Sequence, residues 1–228
     1  MAASGFAYMG LSLSDSRIVL LAAALTLVAP AAFPEPPKGR AQALAALAST
    51  ETAARLEAIV WLANHGGTAD TARLDALLRD DNALVRDYAE RGLWALWSRT
   101  GDAALDRLMA RGVEEMDGEN YRAAIATFSE IVRRKPDFAE GWNKRATVYY
   151  LAGEYASSIA DCGEVLKRNA RHFGALSGLG LIYTQLERYD EALAWYRKAL
   201  EVNPNMLGVE FNIKSIERRL EEKRGKRT

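Results

Sequence analysis

The chain has almost none of the side chains on which site chemistry usually depends. It has one cysteine, Cys162, so no intramolecular disulfide can form. It has two histidines, His65 and His172, and neither has a histidine, cysteine or carboxylate at the spacing a metal ligand set requires. The formal net charge is zero, with 30 lysines and arginines against 30 aspartates and glutamates, so the basic surplus of a nucleic-acid-binding domain is missing. The serines are scattered, and none stands in a nucleophile-elbow context. Gly178-Leu179-Gly180 lacks the following lysine of a phosphate loop and sits in a helical pattern. The pairs Glu114-Glu115 and Asp80-Asp81 read as solvated helix surface or helix ends. No acid, base and nucleophile come together, so the reading assigns no catalytic, cofactor or metal residue and the chain is read as non-enzymatic.

What is present is repetition. Residues 105–206 divide into three copies of a 34-residue unit, 105–138, 139–172 and 173–206, without a gap. A shift of 34 carries Tyr189 to Tyr155 and Tyr121, and Ala192 to Ser158 and Ala124. The same shift carries Gly180 to Ala146 and Gly112, Leu176 to Trp142 and Leu108, and Pro204 to Ala170 and Pro136. A fixed period of this length marks a stacked repeat protein. Each column has a packing reason. Gly112, Ala146 and Gly180 let the two helices of a hairpin approach, and Ala124, Ser158 and Ala192 do so from the second helix. Phe128, Cys162 and Tyr196 follow four residues later on the same face. Pro136 and Pro204 stop the second helix, because proline has no amide to donate and clashes with the preceding turn.

In length, in the order of small and aromatic positions and in the terminal proline, the three units resemble tetratricopeptide repeats. Departures are local: Glu115 stands where an aromatic is expected, Arg111 and Arg145 replace a leucine-like residue, and Ala170 replaces the stopping proline. Residues 207–222 read as an amphipathic capping helix with Val209, Ile213, Ile216 and Leu220 as its stripe. Residues 223–228 read as a basic tail, solubilising or able to touch anionic lipid.

Ahead of the repeats, residues 1–33 contain Arg17 followed by IVLLAAALTLVAPAAF, with small residues around Ala29-Pro30-Ala31. This reads as a secretory signal peptide. A retained membrane anchor and a buried helix are the alternatives, and Met9 offers a second start. Residues 34–39 form a proline-rich linker. Residues 40–104 read as alanine- and leucine-rich helices over 42–48, 50–64, 70–78 and 83–99. Gly66-Gly67 is expected to supply a left-handed cap after His65, and Asp70 and the Asp80-Asp81-Asn82 turn are expected to supply N-caps. Arg55, Ala58 and Leu62 recur as Arg86, Ala89 and Leu93, spaced by 31, in a pattern similar to HEAT repeats. The expected fold is all-α: a right-handed α-solenoid of HEAT-like pairs, three tetratricopeptide repeats and a capping helix.

The resemblance implies a concave groove lined by the first helix of each unit. Carried over position by position, the wall is Met109 and Val113 in the first unit, Asn143, Lys144, Thr147 and Tyr150 in the second, and Ser177, Leu181 and Thr184 in the third. Asparagine can clamp the backbone of an extended ligand, and Lys144 can hold one carboxylate. Gly178 and Ser177 stand where a fuller carboxylate clamp would need charge, so the wall suits an apolar or helical partner better. The expected function is a non-enzymatic adaptor or scaffold that binds a protein or peptide, with no nucleic acid and no cofactor. A structural subunit or a membrane-anchored assembly factor of an envelope complex is the alternative. The expected location is the bacterial periplasm. If residues 1–33 are retained, the alternative is an inner-membrane anchor with the repeats facing the periplasm.

Overall fold

The computed structural model describes residues 35–225, and every regular element among them is helical. The apolar run, and the cleavage site expected in it, lie outside the described residues. Among the described residues no helix is long and apolar enough to cross a membrane. The chain divides into two compact units, with the break between Thr100 and Gly101.

The N-terminal unit contains α1 (Arg40–Ala46), α2 (Thr52–His65), α3 (Thr71–Ala76) and α4 (Ala83–Ser98), with short 3-10 turns at Thr68–Asp70 and Leu77–Arg79. α2 packs on α1 and on α4, and α3 packs on α4. The residues spaced by 31 make equivalent bonds. Arg55 Nη1 donates to Ser49 O at 2.8 Å and Thr50 O at 3.2 Å. Arg86 Nη1 donates to Asp80 O at 2.9 Å and Asp81 O at 3.2 Å. Ala58, Leu62, Ala89 and Leu93 are all fully buried. Asn82 caps α4 as expected, accepting from the amides of Leu84 and Val85. Two expectations fail. Asp70 accepts no amide from α3; its carboxylate takes Gly67 N–H at 3.0 Å and the Arg40 guanidinium. Gly66 is extended, with φ −72°, so α2 has no left-handed cap. Glycine is needed there for space, since a Cβ would lie 2.6 Å from Leu62 O and 2.9 Å from an Asp70 carboxylate oxygen.

The C-terminal unit is three hairpins and a cap. They are α5 (Ala103–Asp117) with α6 (Tyr121–Arg134), α7 (Ala139–Leu151) with α8 (Tyr155–Arg168), α9 (Phe173–Gln185) with α10 (Tyr189–Val202), and α11 (Leu207–Gly225). Each helix packs on the next. Each hairpin turns through the same backbone device. Glu119, Gly153 and Glu187, each 34 apart, have φ of 58°, 77° and 56°. The amides of Asn120, Glu154 and Arg188 reach back to the carbonyls of Glu115, Tyr149 and Tyr183, each at 2.8 Å. These are the long bonds of a Schellman cap, which satisfies helix carbonyls that would otherwise lack donors.

The small and large columns compensate for each other in volume. A Cβ on Gly112 would lie 2.7 Å from the Phe128 ring, and one on Gly180 would lie 2.4 Å from the Tyr196 ring. In the middle hairpin the small position is Ala146, and its partner is the much smaller Cys162. The two arginines that replace a leucine-like residue are compensated sixteen residues on. Arg145 holds both Asp161 oxygens, at 2.7 and 2.8 Å, and Ser129 Oγ at 3.0 Å. Arg111 donates to Thr127 Oγ1, which donates to Glu115 at 2.6 Å. In the third hairpin the same two positions are Leu179 and Trp195, in one apolar cluster. The cap buries Val209 and Ile216 and runs to Gly225, three residues past the expected end. Asn212 Nδ2 on the cap donates to Tyr196 Oη at 3.2 Å.

Candidate functional site

The first helices form a row: α5 touches α7, and α7 touches α9. Met109, Asn143 and Ser177 are equivalent positions on these helices, 34 apart. Within one helix the expected wall residues recur at three- and four-residue steps, as in Asn143, Thr147 and Tyr150, so each set shares one face.

The structure does not place these nine residues alike. Met109 is buried in a core cluster with Met116, Phe128 and Ile131, and Val113 packs against that cluster. Leu181 belongs to the core with Tyr189, Tyr196 and Val209. These three therefore contribute to hairpin packing. An apolar side chain on a helix flanked by neighbours turns toward them. Thr147 and Ser177 are buried, and their hydroxyls bond the carbonyls of Asn143 and Gly174 on their own helices. Tyr150 and Thr184 are half-buried. Thr184 Oγ1 donates to Gly180 O at 2.7 Å, and the Tyr150 hydroxyl is 3.4 Å from Gln185 Nε2. Burial pushes the Tyr150 phenol up from its ordinary value.

The two residues expected to grip a ligand, Asn143 and Lys144, grip the chain itself. Asn143 Nδ2 donates to Glu140 Oε2 at 3.0 Å. Lys144 Nζ stands 3.6 Å from Glu140 Oε1. His172, fully buried, brings Nε2 to 3.1 Å from Glu140 Oε2, while its Nδ1 accepts Ala175 N–H at 3.1 Å and caps α9. An acceptor nitrogen carries no proton, so the ring proton is on Nε2 and points at the carboxylate. Glu140 is 0% exposed in its side chain, and its Oε1 makes no hydrogen bond within 3.5 Å, with the Lys144 ammonium as its ion-pair partner. Burial raises its pKa, but the His172 bond, the nearby positive charge of Lys144 and the Asn143 bond outweigh burial, so the net shift is downward. A buried carboxylate stays ionised only when it is held in this way.

Sequence reasoning missed Glu140, and it missed the burial of His172, its cap on α9 and its carboxylate partner. A signal was available. His172 closes the second unit where the others have Phe138 and Met206, and Glu140 is its second residue, where the first has Asp106 and the third Gly174. A polar residue in an apolar column asks for a partner, and the partner is 32 positions earlier. Phe211 was also missed. It continues the series Met109, Asn143, Ser177 onto α11 and is 68% exposed. Among the described residues no group of three or more histidine, cysteine, aspartate or glutamate side chains is placed to hold a metal ion.

Comparison with known proteins agrees with the repeat fold. The Tetratricopeptide repeat family matches residues 174–206, and a second family profile of the same description matches residues 109–163. Residues 109–163 and 174–206 are thus tetratricopeptide repeats. A TPR repeat-containing protein of Rhizobium etli is 33% identical over 108 residues, which cover 47% of this chain and 53% of the relative. The small glutamine-rich tetratricopeptide repeat-containing protein 2 of Mycosarcoma maydis is 29% identical over 103 residues, covering 45% of this chain and 29% of the relative. The chain thus spans about half of the first relative and under a third of the second. Among solved structures, the Sgt2 TPR domain of Aspergillus fumigatus superposes with a TM-score of 0.51 at 22% identity, over 54% of this chain and 83% of the other. That likeness concerns the fold.

Proposed function

We propose that the chain is a non-enzymatic adaptor or scaffold that holds a protein or peptide partner against the row formed by α5, α7 and α9. The observation that carries this reading is the row itself: three first helices in contact, in register, rigidified by one turn device repeated three times. A preformed surface loses little conformational entropy when a partner arrives. Family membership supports the same reading, since stacked repeats create extended concave binding surfaces. The apolar run in residues 18–33, read as a signal peptide, supports work in the periplasm. If that run is retained, the same repeats serve an anchored assembly factor.

The test is site-specific photo-crosslinking in a Gram-negative host. A photoreactive residue replaces Tyr150 on α7 in one version of the full chain and the exposed Arg122 on α6 in another. A discrete protein adduct from position 150 and none from 122 is the expected result. Adducts only from 122 transfer the function to the outer surface and overturn the groove. Intact mass of the purified chain reads the location: loss of about the first 31 residues marks export with cleavage.

A further inference from the structure

We propose that His172 is a pH-operated cap between the second and third hairpins. Neutral, it holds both Glu140 and the first turn of α9; protonated, it keeps Glu140 and releases α9. The inference stands apart from the groove reading, because it concerns how α9 is held and not what binds the row. The two ring nitrogens have different duties. Nδ1 accepts the Ala175 amide at 3.1 Å, and Nε2 donates to Glu140 Oε2 at 3.1 Å. The cap needs an acceptor nitrogen, and imidazole offers one only while it is neutral; the imidazolium is a donor on both sides. Asparagine or serine at this place would cap the helix without titrating. The other two junctions cannot respond, since Phe138 and Met206 stand where His172 does and neither side chain takes a proton.

The surrounding charges favour the release. Those that face the ring are the Glu140 carboxylate and, on its far oxygen, the Lys144 ammonium, both from α7. α9 has no charged side chain. The charges near the end of α8 are engaged elsewhere, Glu164 with Lys167 and Arg168, and Asp161 with Arg145. Arg171, beside His172 in the chain, is exposed. A proton on Nδ1 is therefore drawn by Glu140 and opposed by the Ala175 N–H and by the positive end of the α9 dipole. Keeping the carboxylate and giving up the amide satisfies the attraction and relieves both repulsions. Burial alone would raise the Glu140 pKa, yet the His172 bond and the Lys144 charge hold it below its ordinary value. The carboxylate is thus not the first of the pair to take a proton. Phe173, Gly174 and Ala175 are all buried, so an uncapped first turn has to open before its amides reach water.

The test is NMR of the full chain, labelled with nitrogen-15 in the backbone and the imidazole rings. It is titrated from about pH 8 to about pH 4.5, the window in which histidines change charge. At the alkaline end His172 should carry its proton on Nε2 and none on Nδ1. On acidification Nδ1 should gain a proton, and the Ala175 amide signal should move with the same midpoint. The exchange protection of that amide should fall at least about tenfold across the midpoint, while amides within α6 keep theirs. Glu140→Gln keeps the shape and removes the charge that draws the proton, so the midpoint should fall by at least about one pH unit. His172→Asn should keep the Ala175 amide protected throughout the titration. A proton on Nδ1 at the alkaline end overturns the proposal, as does a ring that stays neutral to the acid end. So does an Ala175 amide that stays protected while the ring titrates, or a midpoint that Glu140→Gln leaves in place. If either variant fails to fold, the wild-type titration still decides, because ring and amide must change together.

Discussion

Replacing Gly180 with alanine adds one methyl group where the structure has no room for it. The new Cβ would lie 2.4 Å from Cδ1, 2.5 Å from Cε1 and 2.8 Å from Cγ of Tyr196. The ring cannot retreat, because Tyr196 is fully buried and its hydroxyl accepts Asn212 Nδ2 from the cap at 3.2 Å. Forcing a methyl into a filled core costs about 1–3 kcal/mol. Alanine returns up to about 1 kcal/mol through its higher helix propensity. The expected net effect is a loss of about 1–2 kcal/mol. Gly163 is the internal control: it lies within α8, and a Cβ there meets nothing within 4 Å. Gly163→Ala should therefore stabilise by about 0.5–1 kcal/mol. The columns supply a third variant, since Ala146 already faces Cys162 in the middle hairpin. In a Tyr196→Cys background the space exists, so Gly180→Ala should change from a cost to a gain. Urea denaturation measures the totals, and hydrogen exchange in α9 and α10 reads the local effect. The local readout matters because a chain of two units need not unfold in one transition. An equal cost of Gly180→Ala in both backgrounds would refute the volume argument.

Arg145→Leu should cost about 3–5 kcal/mol, because it strands the buried Asp161 carboxylate, and Arg145→Leu/Asp161→Leu should recover most of it in thermal melts. Glu140 has a folded-state pKa below its ordinary 4.5, so its contribution is present above about pH 4.5 and lost as pH falls through the folded value. Melts from pH 7 to pH 3 should show this acid loss in wild type and a smaller one in Glu140→Gln. Burial pushes the Cys162 thiol up to about 12, so a thiol reagent at pH 8 should label it only after denaturation. Fast labelling of the folded chain would refute its place in the core. Glu119→Gly should stabilise by about 1 kcal/mol and Gly153→Ala should destabilise by a similar amount, since both sit at positive φ.

The repeat architecture was legible because packing columns recur at a fixed distance, and the hairpins fall where the 34-residue period puts them. The positive-φ column was not read, because glutamate at positions 119 and 187 hides a conformation that Gly153 announces. The caps in the N-terminal unit were half legible. Asn82 behaves as its residue type predicts, whereas Asp70 is drawn away by Arg40, a partner thirty residues distant. The candidate wall was the least legible part. Register assigned the helix faces, but it could not say that Met109 and Leu181 turn into the core. Nor did it see that Asn143 and Lys144 hold Glu140, three and four residues earlier on the same helix; the His172 bond to that carboxylate, 32 positions on, is a tertiary fact. As a result, alanine at both positions would report chiefly on stability, by leaving Glu140 unpaired, and would be a poor test of binding.

The contact from Arg145 to Ser129 has a consequence for the order of the units. It joins the middle hairpin to the one before it, while Leu179 and Trp195 keep the corresponding positions of the third hairpin apolar. The hairpins are therefore not interchangeable tiles. A shuffled chain, with the third unit placed ahead of the second, would carry the guanidinium to a neighbour that offers Arg197 in place of Ser129. The seam thus works as an address, written in one charged side chain, that fixes which unit follows which.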